Sequence, residues 1–183
     1  MKKLIIMTGD LATGKTTFSK ILSERYNIEA YNKDTIKEVL GDTIGFTNRE
    51  ENLKLSHGTI GVMTHIFEKY AATGHDLILE ANFHRDEIGK LKEIANKYGV
   101  EVLTLVFEAE LHTLYERFVH RIEFENRHPV HKSAGLVDFE AFEEYILSSR
   151  KEVNIEDYVT IDATDFTYQT DTGILAMIDD FMR

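Results

Sequence analysis

The sequence predicts an α/β fold in which a parallel five-stranded sheet is covered by helices on both faces. Short apolar runs rich in β-branched residues alternate along the chain with segments that carry apolar residues at helical spacing. This alternation favours parallel strands joined by crossover helices, with the ligand crevice at the carboxyl ends of the strands. The predicted strands cover residues 3–8, 28–32, 76–81, 100–107 and 158–162. The predicted helices cover residues 15–26, 34–41, 49–72, 87–99, 111–125 and 138–153, and a last helix begins near 171.

Length and composition favour one domain over residues 1–183. The chain has 43% hydrophobic residues, enough for a core, and no cysteine, which excludes disulfides and thiolate metal sites and favours a reducing compartment. Four apolar residues separate Lys3 from Thr8, too few for a signal peptide or a membrane span. We therefore expect a soluble cytoplasmic protein that is a monomer or a homodimer.

The net charge bears on the class of partner. Lys and Arg number 21 against 32 Asp and Glu, which gives a net charge of −11. Such a chain repels the phosphate backbone of a long nucleic acid unless a local basic groove overrides the repulsion. We expect a small-molecule substrate, with neither a long nucleic acid nor a membrane as partner.

The junction between the first strand and the first helix, residues 9–17, reads GDLATGKTT. It fits the pattern G-x-x-x-x-G-K-[ST] at Gly9, Gly14, Lys15 and Thr16. The glycines let backbone N–H groups turn toward an anion, the lysine reaches the β and γ phosphates, and the threonine hydroxyl ligates Mg²⁺. A chance glycine-rich turn is the alternative, but both flanking elements fit the motif. The predicted nucleotide-binding residues of this loop are Gly9, Asp10, Leu11, Ala12, Thr13, Gly14, Lys15, Thr16 and Thr17.

A second candidate lies after the second strand, in YNKDTIKEVL. The Asn, Lys and Asp are contiguous there, so the segment differs from the N-K-x-D signature of GTPases. Asp34 can orient a substrate hydroxyl and take its proton during phosphoryl transfer, or it can simply cap the following helix. Lys37, one turn further on, is either a contact for a substrate anion or a solvated helix residue.

The third strand ends in the segment DLILEANF. Glu80 follows an apolar run, as in elements that hold the water shell of Mg²⁺, although a lone acid at a strand end is also commonplace. The nearby Asn82 and Arg85 are then close enough to face the phosphoryl acceptor. The segment predicts a metal and acceptor site at this strand end.

Arginines near the fifth long helix form a third group of candidates. Arg117 and Arg121 are four residues apart on one helix face, and Arg127 begins a polar stretch. A closing lid over about residues 117–137 would bring such guanidiniums onto the transferred phosphoryl group. Surface pairing is the alternative, and the acids available for it are Glu116, Glu123 and Glu125. His128 and His131 in the same stretch have no third ligand at suitable spacing, so we do not expect a metal there.

With these residues in place, the sequence resembles a group of P-loop kinases. The group includes chloramphenicol phosphotransferase, zeta toxins, gluconate kinase and the polynucleotide kinase domain, and in particular the AAA-domain ATP-binding proteins. The resemblance extends over almost the whole chain, and the segments that carry it are GDLATGKTT, NKDTIKEVL, LILEANF, ENRHPVH and TIDATD. It implies a three-layer P-loop NTPase fold with a helical lid, and ATP with Mg²⁺ as cofactors.

The resemblance also implies roles for residues. In such kinases an Asp after the second strand, here Asp34, acts as the base, and the lid arginines bind phosphate. The segment TIDATD implies a loop beside the adenine, with Thr164 and Asp165 as contacts. The chain departs from many relatives by having Glu80 in place of Asp, and it lacks a recognisable acceptor signature.

Together these features predict an ATP-dependent phosphotransferase that moves the γ-phosphoryl group to a hydroxyl of a small molecule. Lys15, Asp34, Arg121 and Arg127 are its predicted catalytic residues. A 5′-hydroxyl polynucleotide or nucleoside kinase is an alternative suggested by NKDTIKEVL. An ATP-binding switch protein that hydrolyses ATP slowly is an alternative from another class.

Overall fold

The computed structural model describes residues 2–131, 138–153 and 155–183. The strands in these residues are β1 (Lys2–Gly9), β2 (Glu29–Asn32), β3 (Leu77–Glu80), β4 (Val100–Glu108) and β5 (Val159–Asp162). The α-helices are α1 (Lys15–Tyr26), α2 (Lys33–Ile44), α3 (Arg49–Thr73), α4 (Arg85–Tyr98), α5 (Leu111–Phe124), α6 (Phe139–Val153) and α7 (Thr172–Met182). Short 3-10 turns cover Pro129–His131 and Thr167–Gln169.

The described strands form one parallel sheet in the order β2-β3-β1-β4-β5. Successive residues of β1 point to opposite faces, so Leu4 and Ile6 pack on one side and Ile5 and Met7 on the other. Helices α3 and α4 cover the first side, and α1, α5, α6 and α7 cover the second. The structure confirms the predicted α/β fold class, since a buried parallel sheet needs apolar side chains on both faces.

Helix α2 begins at a polar cap that fixes its direction. The Oδ1 atom of Asn32 accepts a hydrogen bond of 3.1 Å from the backbone N–H of Thr35, which makes Asn32 the N-cap. Asp34 is the second residue of the helix. The interpretation of Asp34 as the helix cap is therefore wrong, because the residue two positions earlier already supplies the capping oxygen.

All carboxyl strand ends meet at one edge of the sheet because the strands are parallel. Helix α6 crosses this edge: its Arg150 bonds to Asp10 after β1, and its Glu152 lies 2.7 Å from His84 before α4. The edge therefore collects residues from the loops after several strands. Within the described ranges, no helix combines the length and apolarity that a membrane crossing requires.

Candidate active site

A pocket of about 570 Å³ opens at the carboxyl edge of the sheet. Its wall comes from the loop after β1, the start of α2, the end of β3, the last turns of α5 and the loop after β5. The lining residues are Leu11, Ala12, Thr13, Gly14, Lys15, Thr16, Thr17, Asp34, Glu80, Asn82, Glu116, Arg117, His120, Arg121, Glu125 and Phe166. Candidates from four separate segments of the sequence thus share one cavity.

The loop between β1 and α1 has a shape that only glycine permits at two positions. Gly9 has φ +114°, and a Cβ there would lie 2.2 Å from the carbonyl oxygen of Phe107. Gly14 has φ +84°, and a Cβ there would lie 2.8 Å from Phe166 and from the hydroxyl of Tyr168. The loop therefore lies against β4 on one side and against the loop after β5 on the other.

The loop ends at the amino terminus of α1, where backbone N–H groups are available for an anion. Gly14 is the N-cap and has no side chain to accept from the first turn, and Lys15 to Thr17 line the pocket. The Lys15 ammonium donates to the carbonyl oxygens of Gly9 (3.1 Å) and Asp10. Burial lowers the pKa of Lys15, an effect that nearby carboxylates oppose. The helix amino terminus and the Lys15 side chain thus lie together at the wall of the pocket.

Thr16 and Glu80 come from different segments and meet at the floor of the pocket. The hydroxyl of Thr16 donates a 3.0 Å hydrogen bond to Oε2 of Glu80, and Asn32 donates to the same hydroxyl at 3.2 Å. Burial raises the pKa of Glu80, whereas Lys15 and Thr16 act in the opposite direction. A hydroxyl and a carboxylate beside a phosphate loop are the hard oxygen donors that Mg²⁺ prefers, so the donor set fits that ion.

Asp34 projects from the first turn of α2 into the same pocket as Glu80 and Asn82. Its carboxylate is about half exposed, and its Oδ1 lies 3.9 Å from Nδ1 of His131. Burial raises the pKa of Tyr145 on α6, and the charges of Glu152 and Asp34 add to that shift. A carboxylate oxygen of Asp34 is thus accessible to a ligand that enters beside the loop between β1 and α1.

Arg117, the first of the three predicted lid arginines, is bonded to the loop after β5. Arg117 donates from Nη1 to the carbonyl oxygen of Ala163 at 2.8 Å and from Nη2 to that of Thr164. Its guanidinium lies over the ring of Phe166, 3.7 Å from the ring centroid. Arg117 and Phe166 form a flat stacked pair at the mouth of the pocket.

The other two predicted lid arginines, Arg121 and Arg127, differ in their surroundings. Arg121 lines the pocket while its Nε donates to Glu125 at 3.2 Å, an ion pair of the surface type that the sequence offered as the alternative. Arg127 is half-buried, and burial lowers its pKa, as does the positive charge of Arg121, while Asp34 opposes the shift. The predicted lid extends over residues 117–137, of which 132–137 lie outside the described residues.

Three predicted site residues lie outside the lining of this pocket and contact other parts of the protein. Lys37 is buried and donates from Nζ to the carbonyl oxygen of Val130 at 3.2 Å, so the expectation of a solvated Lys37 is wrong. Arg85 begins α4 and lines a different pocket, together with residues of α4 and the segment before β5. Asp165 accepts from the backbone N–H and the hydroxyl of Thr167, which holds the second 3-10 turn in place.

Three residues of this region lack an assigned role in the sequence analysis. Arg150 binds Asp10 of the phosphate loop, Phe166 stacks on Arg117, and His131 lies beside Asp34. The sequence could have indicated Phe166, because it directly follows TIDATD and an aromatic ring at that position can stack on a nucleotide base. The pairing of Arg150 with Asp10 spans 140 residues and leaves no local pattern.

The comparisons with known proteins agree with this geometry. The sequence matches the profile of the AAA-domain family over residues 4–142, and the protein belongs to that family. No curated protein sequence matches the chain at a significant level.

Solved structures share the fold over its full length. A proposed kinase from Chloroflexus aurantiacus j-10-fl is 26% identical, with a TM-score of 0.81 and coverage of 100% of this chain and 98% of that one. A gluconokinase from Sinorhizobium meliloti 1021 is 13% identical, with a TM-score of 0.60 and coverage of 98% and 95%. An APS kinase from Mycobacterium tuberculosis, solved with AMPPNP and APS, is 13% identical, with a TM-score of 0.59 and coverage of 100% and 98%. The chain therefore has the fold of the P-loop kinases.

Proposed function

We propose that the protein is an ATP-dependent phosphotransferase that moves the γ-phosphoryl group of ATP to a hydroxyl of a small molecule. One observation carries the proposal: the phosphate loop with Lys15 and the carboxylate of Asp34 line the same pocket. A site for nucleotide binding alone needs the loop but has no need of a carboxylate across the cavity. The proposal treats the chain as a single kinase domain.

The nucleotide occupies the phosphate loop and the mouth of the pocket. Its phosphates lie at the amino terminus of α1, where backbone N–H groups, the helix dipole and Lys15 offset their charge. Its base stacks on the flat pair that Arg117 and Phe166 form. Thr164 and Asp165 contribute to base binding mainly by shaping this loop.

Thr16 and Glu80 would hold Mg²⁺, which would offset the negative charge of the nucleotide phosphates. The hydrogen bond between the two side chains, 3.0 Å long, keeps both oxygens at the same point of the pocket floor. Asn32 donates to the Thr16 hydroxyl and so fixes its rotamer. These three residues orient the metal site before any ligand arrives.

Asp34 acts as the base. As the acceptor oxygen bonds to the γ-phosphorus, the bond from that phosphorus to the β–γ bridging oxygen breaks, and ADP leaves with the electron pair. The hydroxyl proton passes to a carboxylate oxygen of Asp34 and then to solvent. Arg121 and Arg127 approach the transferred group from the lid side and offset the charge on its oxygens.

A label-transfer experiment tests the proposal. The purified protein receives γ-labelled ATP, Mg²⁺ and a small-metabolite extract, with Asp34→Asn run in parallel. We expect label in a new organic phosphate with the wild type and about 10²-fold less with the variant. Label found only as inorganic phosphate, equally with and without extract, would support the ATP-binding switch instead.

A further inference from the structure

The segment after the lid arginines is seated on α2 and α3 by a close fit. We call residues 128–131 the histidine turn; its Val130 is fully buried. The carbonyl oxygen of Val130 accepts from Nζ of Lys37 at 3.2 Å and from Nδ2 of Asn52 at 3.0 Å. A Cβ on Gly41 would lie 2.4 Å from Cγ1 of Val130, so α2 has a notch of the right size for this side chain. These contacts hold the turn against α2 and α3.

These contacts place two histidines of the turn against α2, and the two rings differ in how many of their nitrogens form hydrogen bonds. Nε2 of His128 lies 2.9 Å from Asp42, and its Nδ1 accepts from the backbone N–H of Val130 at 3.2 Å. Nε2 of His131 lies 2.9 Å from Oε1 of Glu38. No residue in the described ranges forms a hydrogen bond with Nδ1 of His131. His128 thus uses both ring nitrogens to hold the turn, and His131 uses one.

The remaining ring nitrogen of His131 lies beside Asp34. Nδ1 lies 3.9 Å from Oδ1 of Asp34, and the His131 side chain is only 9% exposed. The hydrogen bond to the Glu38 carboxylate assigns the Nε2 proton, which leaves Nδ1 as an acceptor; in the protonated ring it is a donor. In either state Nδ1 can form one hydrogen bond with a hydroxyl group of a ligand.

We propose that His131 binds the acceptor, and that the acceptor carries a second hydroxyl next to the one that is phosphorylated. The proposal rests on the proposed function, in which Asp34 takes the reacting hydroxyl. Two hydroxyls on neighbouring carbons place one oxygen at Asp34 and the other at Nδ1 of His131. The substrate class is therefore a vicinal polyol: an open-chain sugar alcohol or sugar acid, or a ring-form sugar phosphorylated at a hydroxyl of the ring.

This class differs from a nucleoside phosphorylated at its 5′-hydroxyl. The carbon next to that hydroxyl carries the ring oxygen instead of a hydroxyl group. Such a ligand offers the neutral imidazole nothing to donate, and it leaves a polar atom unpaired in a nearly enclosed position. The histidine turn thus favours polyols over nucleosides among the acceptors that Asp34 could serve.

The test uses a panel of glycerol, ribitol, D-ribose, D-glucose and D-gluconate with ATP and Mg²⁺. For each compound that is phosphorylated, NMR gives the position of the phosphate. The kcat/KM of that compound is then compared with that of an analogue lacking the neighbouring hydroxyl. For glycerol phosphorylated at a terminal hydroxyl, the analogue is propane-1,3-diol. We expect the wild type to lose about tenfold or more in kcat/KM on removal of that hydroxyl. His131→Ala should lose as much on the parent compound and should no longer distinguish the two.

Two further variants separate acceptor binding from loosening of the turn. His128→Ala removes the contact of His128 with Asp42 of α2, which has the same length of 2.9 Å as the contact of His131 with Glu38. It should keep the wild-type preference for the parent compound. In His131→Asn the side-chain amide reaches the position of Nδ1, and it should restore part of the preference. A loss of preference in His128→Ala equal to that in His131→Ala, with no preference restored in His131→Asn, would mean that the turn only supports the fold and would overturn the proposal.

The remaining outcomes distinguish this inference from the proposed function. Equal rates on parent and analogue with the wild type would refute the role of His131 while phosphoryl transfer stands. Label from ATP in a metabolite of the extract, with every panel compound inert, would refute the polyol class and leave a kinase of another acceptor. Label in inorganic phosphate alone would overturn both.

Discussion

The guanidinium of Arg150 forms a bidentate ion pair with the carboxylate of Asp10, with 2.6 Å between Nη2 and Oδ2 and 3.1 Å between Nε and Oδ1. Arg150 also donates to the carbonyl oxygen of Ala109 at 2.8 Å, and the N–H of Ala109 donates to Asp10. The Asp10 side chain is 1% exposed. Helix α6 is thereby attached to the second residue of the phosphate loop, so the shape of that loop depends on a distant part of the chain.

Arg150→Met should destabilise the protein by about 3–5 kcal/mol, because it leaves the Asp10 carboxylate buried without its partner. Urea unfolding at neutral pH measures the change. Lys151→Met is the control, since this exposed neighbour on α6 should change stability by only about 0.5 kcal/mol. The double variant Asp10→Asn with Arg150→Met should recover much of the loss. Equal unfolding midpoints for the two single variants would contradict the importance of the pair.

Lys15→Ala should weaken binding of a non-hydrolysable MgATP analogue by about tenfold to a hundredfold, since a charge-assisted contact contributes about 1.5–3 kcal/mol. Calorimetric titration measures the affinity. Lys20→Ala makes the same change of charge on an exposed position of the same helix and should bind as the wild type does. Similar affinities for the two variants would remove the basis for placing phosphates in this loop.

Asp34→Asn and Asn32→Ala should differ in stability, because only Asn32 caps α2. The first variant should keep nucleotide affinity and stability but lose about 10²-fold or more in phosphoryl transfer, as expected for loss of a general base. The second should lose about 0.5–2 kcal/mol of stability. Unfolding curves and transfer rates on both proteins test this. Near-normal transfer by Asp34→Asn would rule out its role as base.

The sequence alone predicts the fold well because each element carries its own local signal. The apolar run LIIM forms the centre of β1, and the pattern around Gly9 and Gly14 marks the turn into α1. Both signals depend on residues close together in the chain, so no tertiary information is needed to read them. The same holds for Glu80, which the end of an apolar run places at a strand terminus.

The candidate site is less predictable where its contacts are long-range. The sequence predicts an exposed Lys37. In the structure Lys37 is buried, and its ammonium donates to the carbonyl oxygen of Val130, which is 93 residues away in the chain. Which residue caps α2 could not be decided from the sequence, because Asn and Asp are both good capping residues. The surroundings of these residues depend on how loops from distant segments pack, and hydrophobic periodicity carries no information on that packing.

Arg127→Ala and Arg121→Ala should slow phosphoryl transfer more than they weaken ATP binding, since a lid arginine acts mainly on charge that develops in the transition state. The effect should be larger for Arg127, whose half-buried guanidinium lies in the field of Asp34, than for Arg121, which shares its charge with Glu125. Comparison of kcat with KM for ATP measures both. Arg49→Ala, an exposed change at the start of α3, is the control. Equal losses in kcat and in ATP affinity would assign the arginines to ground-state binding.

Gly41→Ala and Gly58→Ala place the same methyl group on two helices with opposite surroundings. Alanine is favoured over glycine in a helix interior by about 1 kcal/mol, so Gly58→Ala on α3, where nothing lies within 4 Å, should stabilise the protein. At Gly41 the new Cβ would lie 2.4 Å from Val130, which should push the histidine turn outward and cancel that gain. Phosphoryl transfer should fall in Gly41→Ala alone, because displacing the turn moves both Arg127 and His131 away from Asp34. Urea unfolding and transfer rates on the two variants measure these effects, and equal stabilisation with wild-type transfer in both would show that the seat of the turn has no part in catalysis.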